Sequence, residues 1–390
     1  MKRLNNFLVF GKDLEAGFVP KLFAKKLCHL TYHPPYDTRI FHKECKTLVN
    51  AGYGVTLLVP HNQSEFVDGV KIVPLPIYRK RLAKFVFLPF KAFLSALRQR
   101  ASIYHFHDPA LIFTGLLLKA FGKKVIYDVH EDYKSKILSK HYIPRFLRRP
   151  LAYLFDLFEK NISKVFDAIV VVDDYLQSRF RHRRVVKVAN FPPIIEIPRQ
   201  KQNDEFVFVY AGGISKDRGI SKVIQALDFL GDYRGKIKII LAGPIEEKDI
   251  KQAVENNPLI DYVGYLPWRE VLKIYSVSDV GLLLLQPVPA YIYITTETPV
   301  KLFEYMLAGL AVLSTDFPSF KKLIEGNKCG ICVDSTSPRE IADAMKYLIE
   351  HKEEARKMGE NGRRAVIERY NWEKESEKLL KLYKELLRER

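Results

Sequence analysis

"PVKLFEYMLAGLAVLSTD", residues 299–316, is a proline-opened helical phrase that runs through Gly309 straight into an apolar run. Pro299 suits a first helical turn and Gly309 suits a helix stop. At about 100° per residue, Lys301, Glu304 and Ala308 share one stripe, while Val300, Leu302, Phe303, Met306 and Leu307 cover the rest. "LAVLSTD" reads as a buried parallel strand, so the helix belongs inside a sheet protein. Its polar stripe is narrow, and we expect it to line a cleft rather than face bulk water. The C-terminal "EKESEKLLKLYKELLRER" shows the contrast, being charged at every outward position.

Working outward from that helix–strand unit, the same alternation occurs twice. "KLCHLTY", "GVTLLVP", "SIYHFH", "KVIYDVH" and "AIVVVDD" read as strands in the first half. "FVFVYAGG", "IKIILAGP", "DYVGYL", "VGLLLLQ" and "AVLSTD" read as strands in the second. Strands alternating with helices imply a parallel sheet covered on both faces. The break is "FPPIIEIPRQKQND", residues 191–204, rich in proline and polar groups. At 390 residues, 47% of them apolar, two cores are the natural expectation. The chain therefore divides into a first α/β domain over 1–195, a second over 205–370, and a final helix over 371–390 that can cross back to the first domain. Two open α/β domains of this kind put the carboxyl ends of both sheets around a shared crevice, where polar strand ends do chemistry.

The charge is asymmetric. Residues 1–200 hold 34 Lys and Arg against 16 Asp and Glu, and residues 201–390 hold 29 against 29. The whole excess of +18 lies in the first half, which is built to meet something anionic. No run of about 18 uncharged apolar residues occurs, so no bilayer span is expected. The 25-residue leader shows no clear pattern, and its "FLVF" is too short for a signal peptide. Cys329 and Cys332 form one CxxC, but Cys28 and Cys45 do not supply the second pair that a zinc site needs.

The usual nucleotide motifs are missing. The first strand is followed by "HPPYDTRI" instead of GxGxxG, and "GGISKDRGIS" lacks the lysine–hydroxyl ending of a P-loop. No Asp-x-Asp pair offers itself to a divalent ion. What remains is "VYAGGISKDRGISKVIQAL", residues 209–227: strand, glycine turn, helix. Gly212 and Gly213 let backbone approach a ligand, and Arg218 arrives at a helix mouth whose amides favour an anion. Lys301, at the mouth of the Pro299 helix, brings a second cation, and the pair suits a diphosphate. Glu304, about one turn on, is placed to accept hydrogen bonds from vicinal sugar hydroxyls. Gly243 and Gly264 would lend backbone groups to a base. In the first half, His107 and Asp108 end one strand and His130 and Glu131 end another, all at the same crevice edge.

In order along the chain, "FHDP", "YDVHEDY", "YAGGISKDRG", "PVKLFEYMLAGLAVLSTDFPS" and "KCGICVD" together resemble a family 4 glycosyltransferase of the GT-B fold. The likeness covers roughly residues 26 to 385, and "HPPYDTRIFHKE" resembles the opening loop of a branch that builds bacterial surface polysaccharide. It implies two facing Rossmann-like, doubly wound α/β domains with the site between them. It also implies a retaining transfer with no bound metal and no cofactor beyond the nucleotide-sugar donor, itself a substrate. By this likeness Arg218 and Lys301 face the donor diphosphate and Glu304 its ribose, while His130 lies near the reacting sugar. The loop with Asp37 and Arg39, together with His107 and Asp108, shapes the acceptor side. The family often carries two glutamates eight positions apart; here Thr296 stands eight before Glu304, with Glu297 beside it, and His130, Glu297 and Glu304 are the catalytic candidates. Many members also carry a basic residue where Gly213 stands.

Between Asp68 and Asp108 there is no acidic residue, while Lys71, Arg79, Lys80, Arg81, Lys84, Lys91, Arg98 and Arg100 all fall there. Phe90, Phe93, Leu94 and Leu97 follow an amphipathic helical spacing, and a second basic aromatic stretch is "HYIPRFLRRPLAYLF". The apolar stripes are expected to pack on the sheet. The unbalanced cations point to an anionic membrane leaflet, and so to a peripheral enzyme at the cytoplasmic face acting on a glycan or lipid-linked acceptor. A small soluble acceptor is the alternative. A nucleic-acid partner, the other guess a basic half invites, lacks any recognition motif and is set aside.

Overall fold

Each apolar run that ends in polar residues becomes a strand of one of two sheets. The computed structural model describes residues 25–78, 81–140, 142–201, 205–289, 291 and 299–389, with residues 81–86 by backbone alone. The leader up to Ala24, Arg79, Lys80, Thr296 and Glu297 lie outside the described residues.

The first sheet is built from β1 (Lys26–Leu30), β2 (Gly54–Pro60), β3 (Glu65–Val67), β4 (Val70–Leu75), β5 (Ile103–Phe106), β6 (Lys124–Val129), β7 (Ala168–Val171) and β8 (Val185–Lys187). Their spatial order is β3-β4-β2-β1-β5-β6-β7-β8, parallel except for β3 against β4. Around them lie a π-helical turn (Ile40–Cys45), α1 (Lys46–Asn50), α2 (Arg81–Gln99), α3 (Ile112–Ala120), α4 (Tyr133–Leu138), α5 (Arg145–Ile162) and α6 (Asp174–Arg179). The second sheet has β9 (Phe206–Ala211), β10 (Ile237–Ala242), β11 (Ile260–Gly264), β12 (Val280–Leu283), β13 (Ala311–Thr315) and β14 (Gly330–Val333) in the order β11-β10-β9-β12-β13-β14. Its helices are α7 (Ile220–Ala226), α8 (Lys248–Glu255), α9 (Trp268–Val277), α10 (Val300–Leu307), α11 (Pro318–Asn327), α12 (Pro338–Glu350) and α13 (Lys352–Glu368); α14 (Trp372–Arg388) follows.

Both sheets therefore reverse strand order once, between β1 and β5 and between β9 and β12. Ligands of open α/β sheets bind outside the carboxyl ends at such points. Each sheet buries residues on both faces, as the near-continuous apolar strands require.

α14 returns to the first sheet. Trp372, Leu379, Leu382, Tyr383 and Leu386 join the cluster containing Leu57, Ile103, Ile126 and Val170. Each such buried side chain contributes on the order of 1.5–3 kcal/mol. The crossing between domains is fixed by polar contacts. Lys43 Nζ donates to the carbonyls of Asn190 at 3.2 Å and Phe191 at 2.8 Å. Ala189 N donates to Glu375 at 2.9 Å, and Trp372 N donates to the Pro192 carbonyl at 2.9 Å.

The expectation that the apolar stripes of the basic half pack on the sheet needs correction. In α2 it holds for Phe93, Leu94 and Leu97, which pack with Leu88, Ala92 and Ala96, and fails for Phe90, which is exposed. In α5 the inward residues are Ala152, Asp156 and Glu159, and the apolar stripe faces outward. The reason is Arg179 of α6, whose guanidinium under α5 donates to Asp156 at 2.6 Å and Glu159 at 3.3 Å and so holds the polar side of the helix inward. Tyr127 of β6 adds a hydrogen bond to Glu159 at 2.7 Å.

Candidate active site

The second-half site grows from the β9 and β10 ends. β9 delivers Tyr210 and then Gly212, whose φ of +139° is one that a side chain rarely adopts. A Cβ there would also lie 2.5 Å from Lys301 Nζ, so a glycine is what lets Lys301 approach this backbone. Gly243, after β10, has a φ of +131°, and its missing Cβ would collide with the Gly212 carbonyl at 2.0 Å. The two loops thus pack backbone to backbone.

α10 carries Lys301 and Glu304 on its half-buried stripe, with Leu302, Phe303, Met306 and Leu307 buried. Lys301 Nζ donates to the Tyr210 hydroxyl at 2.9 Å and sits 4.1 Å from its ring centre. Burial pushes the Lys301 ammonium down to about 7, the charge of Arg218 adds to that, and Glu304 opposes it. Arg218 lies over the Tyr291 ring at 5.5 Å. Neither cation forms an ion pair with a carboxylate among the described residues. Glu304 is held by α9, accepting from Trp268 Nε1 at 2.9 Å and, more weakly, from the Tyr275 hydroxyl at 3.4 Å. Each carboxylate oxygen keeps a lone pair for a further donor.

The structure thus brings Arg218, Lys301, Gly212 and Glu304 into one neighbourhood. Gly213 lies beside it, its carbonyl taken by the Tyr210 hydroxyl at 2.8 Å. Gly243 and Gly264 are more committed to the fold than expected: Gly243 N donates to Gly264 O at 2.7 Å, and Gly243 O accepts from Tyr262 at 3.0 Å.

The first-half residues meet at the β1/β5 switch point. Asp108 accepts from Thr31 Oγ1 at 2.9 Å and Tyr32 N at 2.7 Å, fastening the loop after β1 to the end of β5. Asp37 accepts from the backbone of Arg39 and Ile40 and faces His33 Nδ1 at 3.2 Å. Burial works to raise its pKa, but His33 and the Ile40 amide outweigh that and hold the carboxyl well below the usual range. Arg39 is placed otherwise than expected for a group shaping the acceptor side. Its guanidinium is buried under the loop, 2.9 Å from Glu44, 3.3 Å from Asp128 and 2.9 Å from the Val188 carbonyl. His107 is buried as well, 2.9 Å from His29 and 3.2 Å from His130.

At the hub is Asp128, which sequence reasoning missed although it lies two residues before His130 on one strand face. Its Oδ2 is 3.1 Å from His130, 3.3 Å from His107 and 3.6 Å from His105. Burial would raise its pKa, yet Arg39 and the histidines overcome this and keep it ionised. Glu44, equally buried and repelled by Asp128, is pushed well above its ordinary value. Burial, with His105, pushes His107 down, so the ring is neutral. The chain of contacts continues from His29 to the Tyr383 hydroxyl of α14 at 3.0 Å. Two groups here bring donor atoms of metal-binding type within 4.8 Å of one another: His29, Glu44, His105 and His107, and Glu44, His107, Asp128 and His130. Arg39 meets the carboxylates of both groups with a permanent cation.

The halves face each other. Lys43, buried and pushed down to about 7, feels the charge of Glu304, and His42 feels that of Arg269. Tyr210, Trp268 and Tyr275 also escaped the sequence reading, since aromatics in apolar runs look like core. Cys329 and Cys332 are free thiols, each pushed by burial up to about 12.

Comparison with known proteins agrees with this arrangement. A family model described as Glycosyltransferase Family 4 matches residues 38–192, and one described as Glycosyl transferases group 1 matches residues 194–365. The chain is 21% identical over 304 residues to an uncharacterized glycosyltransferase, MJ1069, of Methanocaldococcus jannaschii, spanning 72% of this chain and 73% of that one. It is 24% identical over 190 residues to the capsular polysaccharide biosynthesis glycosyltransferase CapM of Staphylococcus aureus, covering 48% of each. HepE of Anabaena, solved with UDP and glucose, superposes with a TM-score of 0.68 at 13% identity, over 93% of this chain and all of HepE (100%).

Proposed function

The chain belongs to the group 1, family 4 glycosyltransferases of GT-B fold, and from that premise we propose a retaining, metal-independent transfer from a nucleotide-diphosphate sugar to a glycan or lipid-linked acceptor of cell-surface polysaccharide or glycolipid synthesis. The observation that carries this reading is the pair Arg218 and Lys301, close enough to feel each other's charge, with Lys301 against the Gly212 backbone, both beside tyrosine rings and neither ion-paired with a carboxylate among the described residues. A donor diphosphate supplies the missing charge, and Glu304, fixed by Trp268, accepts from its ribose hydroxyls.

When the sugar–phosphate bond breaks, negative charge grows on the leaving diphosphate. A preorganised donor aimed at such charge is worth about 2.7–4 kcal/mol, and Arg218 and Lys301 supply two. His130, oriented by Asp128 at 3.1 Å, stands on the opposite wall beside the reacting sugar. The incoming hydroxyl gives its proton to the departing phosphate, with the oxocarbenium-like centre shielded between the domains. The acceptor lies against the loop that Asp37 and Asp108 fasten, with His107 beneath it. Glu297, outside the described residues, keeps its place as a candidate on the donor-sugar side.

A lipid-linked acceptor would be met at the cytoplasmic membrane face. No helix among the described residues is long and apolar enough to cross a membrane; peripheral attachment is proposed from the basic first half, where each cation near an anionic leaflet adds about 1 kcal/mol. CapM, by its name, serves capsular polysaccharide, which supports an acceptor of that class.

A thermal-shift screen of UDP, GDP and ADP and their sugars tests the donor site. One nucleotide raising Tm in the wild type, with Glu304→Ala abolishing both that shift and turnover while the fold survives, is the expected result. Unchanged turnover in Glu304→Ala would refute the site, and turnover lost after chelation would refute metal independence.

A further inference from the structure

α5 is built inside out. Its inward residues Asp156 and Glu159 are its only carboxylates, and both are buried against Arg179. Its outward face is aromatic and aliphatic: Phe146 is 77% exposed, Tyr153 63% and Leu154 60%. The neighbouring helices extend this surface. Phe113 of α3 is 61% exposed and lies tilted against Phe158 of α5 at 6.2 Å, and Phe121, just past the end of α3, is joined to α2 through Phe93 at 5.3 Å. α2 adds the exposed Phe87 and Phe90.

A contiguous exposed apolar surface of this size marks a binding face. The charges around it decide for what. α2 and α3 contain no acidic residue, and both acids of α5 point into the protein, so every charge these helices present outward is positive. Lys91, Arg98, Arg145 and Arg149 are exposed among the aromatics. A helix with large apolar side chains outward and cations at its flanks suits the headgroup–acyl boundary of an anionic bilayer. The polarity of the sheet also places this face usefully. α3 begins just past the carboxyl end of β5, and α5, through α4, follows that of β6, so both start from the sheet edge where His107 and His130 end their strands.

We propose that the outward faces of α2, α3 and α5 insert as one surface into the headgroup–acyl layer of an anionic membrane, presenting the cleft rim to a lipid-linked acceptor. This rests on the reading of the chain as a transferase acting at a membrane. It goes beyond charge attraction: apolar side chains enter the lipid, and insertion therefore outlasts salt.

The test uses full-length protein with vesicles of phosphatidylcholine alone or with phosphatidylglycerol. Wild type is expected to bind the anionic vesicles and to stay bound in 0.5 M salt, where the Debye length is only about 4 Å. Phe146→Trp should be quenched by brominated acyl chains. The pair Phe146→Glu and Leu154→Glu should weaken vesicle binding at least tenfold with nucleotide-induced thermal shift unchanged. Complete release by salt with no quenching of Phe146→Trp overturns insertion while leaving a purely electrostatic membrane contact standing. A wild-type dimer that ignores vesicles and is split by the same pair of substitutions overturns it too, assigning the face to a second copy. Loss of nucleotide binding in the wild type would instead strike the transferase reading.

Discussion

Asp128 in the first half and Glu304 in the second are both carboxylates beside the cleft, and they are held in opposite ways. Asp128 is fully buried and met by a guanidinium and three imidazoles. Glu304 is half-buried and met by an indole N–H and a phenol. The same contrast covers the cations: Arg39 lies within ion-pair distance of Glu44 and Asp128, whereas Arg218 and Lys301 rest on tyrosine rings. A network that neutralises its own charge positions side chains, and a cluster held by neutral groups keeps its charge for a ligand.

The largest expected effect breaks the second cluster. Arg218→Ala or Lys301→Ala should each lower kcat by about 10²–10³ with Tm little changed, since each removes a donor aimed at leaving-group charge. Steady-state rates beside melting curves check this; a large Tm loss with kcat intact would erase the contrast. Asp128→Asn should instead cost stability first, with kcat falling too because His130 loses the carboxylate that orients it. Removing one partner of a buried ion pair costs about 3–5 kcal/mol, a fall of roughly 6–20 °C in Tm at this size, while nucleotide affinity stays as in wild type.

A pH series sharpens the comparison further. Free Lys301 loses its proton as pH rises through about 7, and a bound diphosphate favours the protonated ammonium. Binding then takes up a proton, so Kd should rise between pH 7 and 9, by up to tenfold per unit. Calorimetry in buffers of different ionisation heat measures the uptake, and Lys301→Met should flatten the profile. Smallest of all is Cys332→Ser. With both thiols of the CxxC pushed up by burial, stability and turnover should move by no more than about 0.5 kcal/mol, and a larger loss would give that pair a role.

Much of the architecture was legible because parallel strands buried on both faces read as apolar runs. All ten apolar runs form strands, and "GVTLLVP" is β2 from end to end. β3, β8 and β14 were passed over because three- and four-residue edge or near-edge strands carry too little apolar pattern. β4 was hidden because its Lys71 and Pro74 break the run inside a basic stretch. At the site, Gly212, Arg218, Lys301 and Glu304 were visible as odd residues at strand and helix ends. Tyr210, Trp268 and Tyr275 were not, since their hydroxyl and N–H groups matter only once α9 and β9 lie against α10.

α10 and α5 mark the boundary between the two kinds of knowledge. For both helices the amino-acid order alone fixed a polar stripe and an apolar remainder, because side-chain direction follows from helical periodicity. Which side would be covered was not in that order. In α10 the apolar side is buried and the stripe meets the cleft; in α5 Arg179 and Tyr127, far away in sequence, claim the stripe and leave the apolar side open. Periodicity is a property of one segment, but burial is a property of its neighbours, and only the packed chain supplies them.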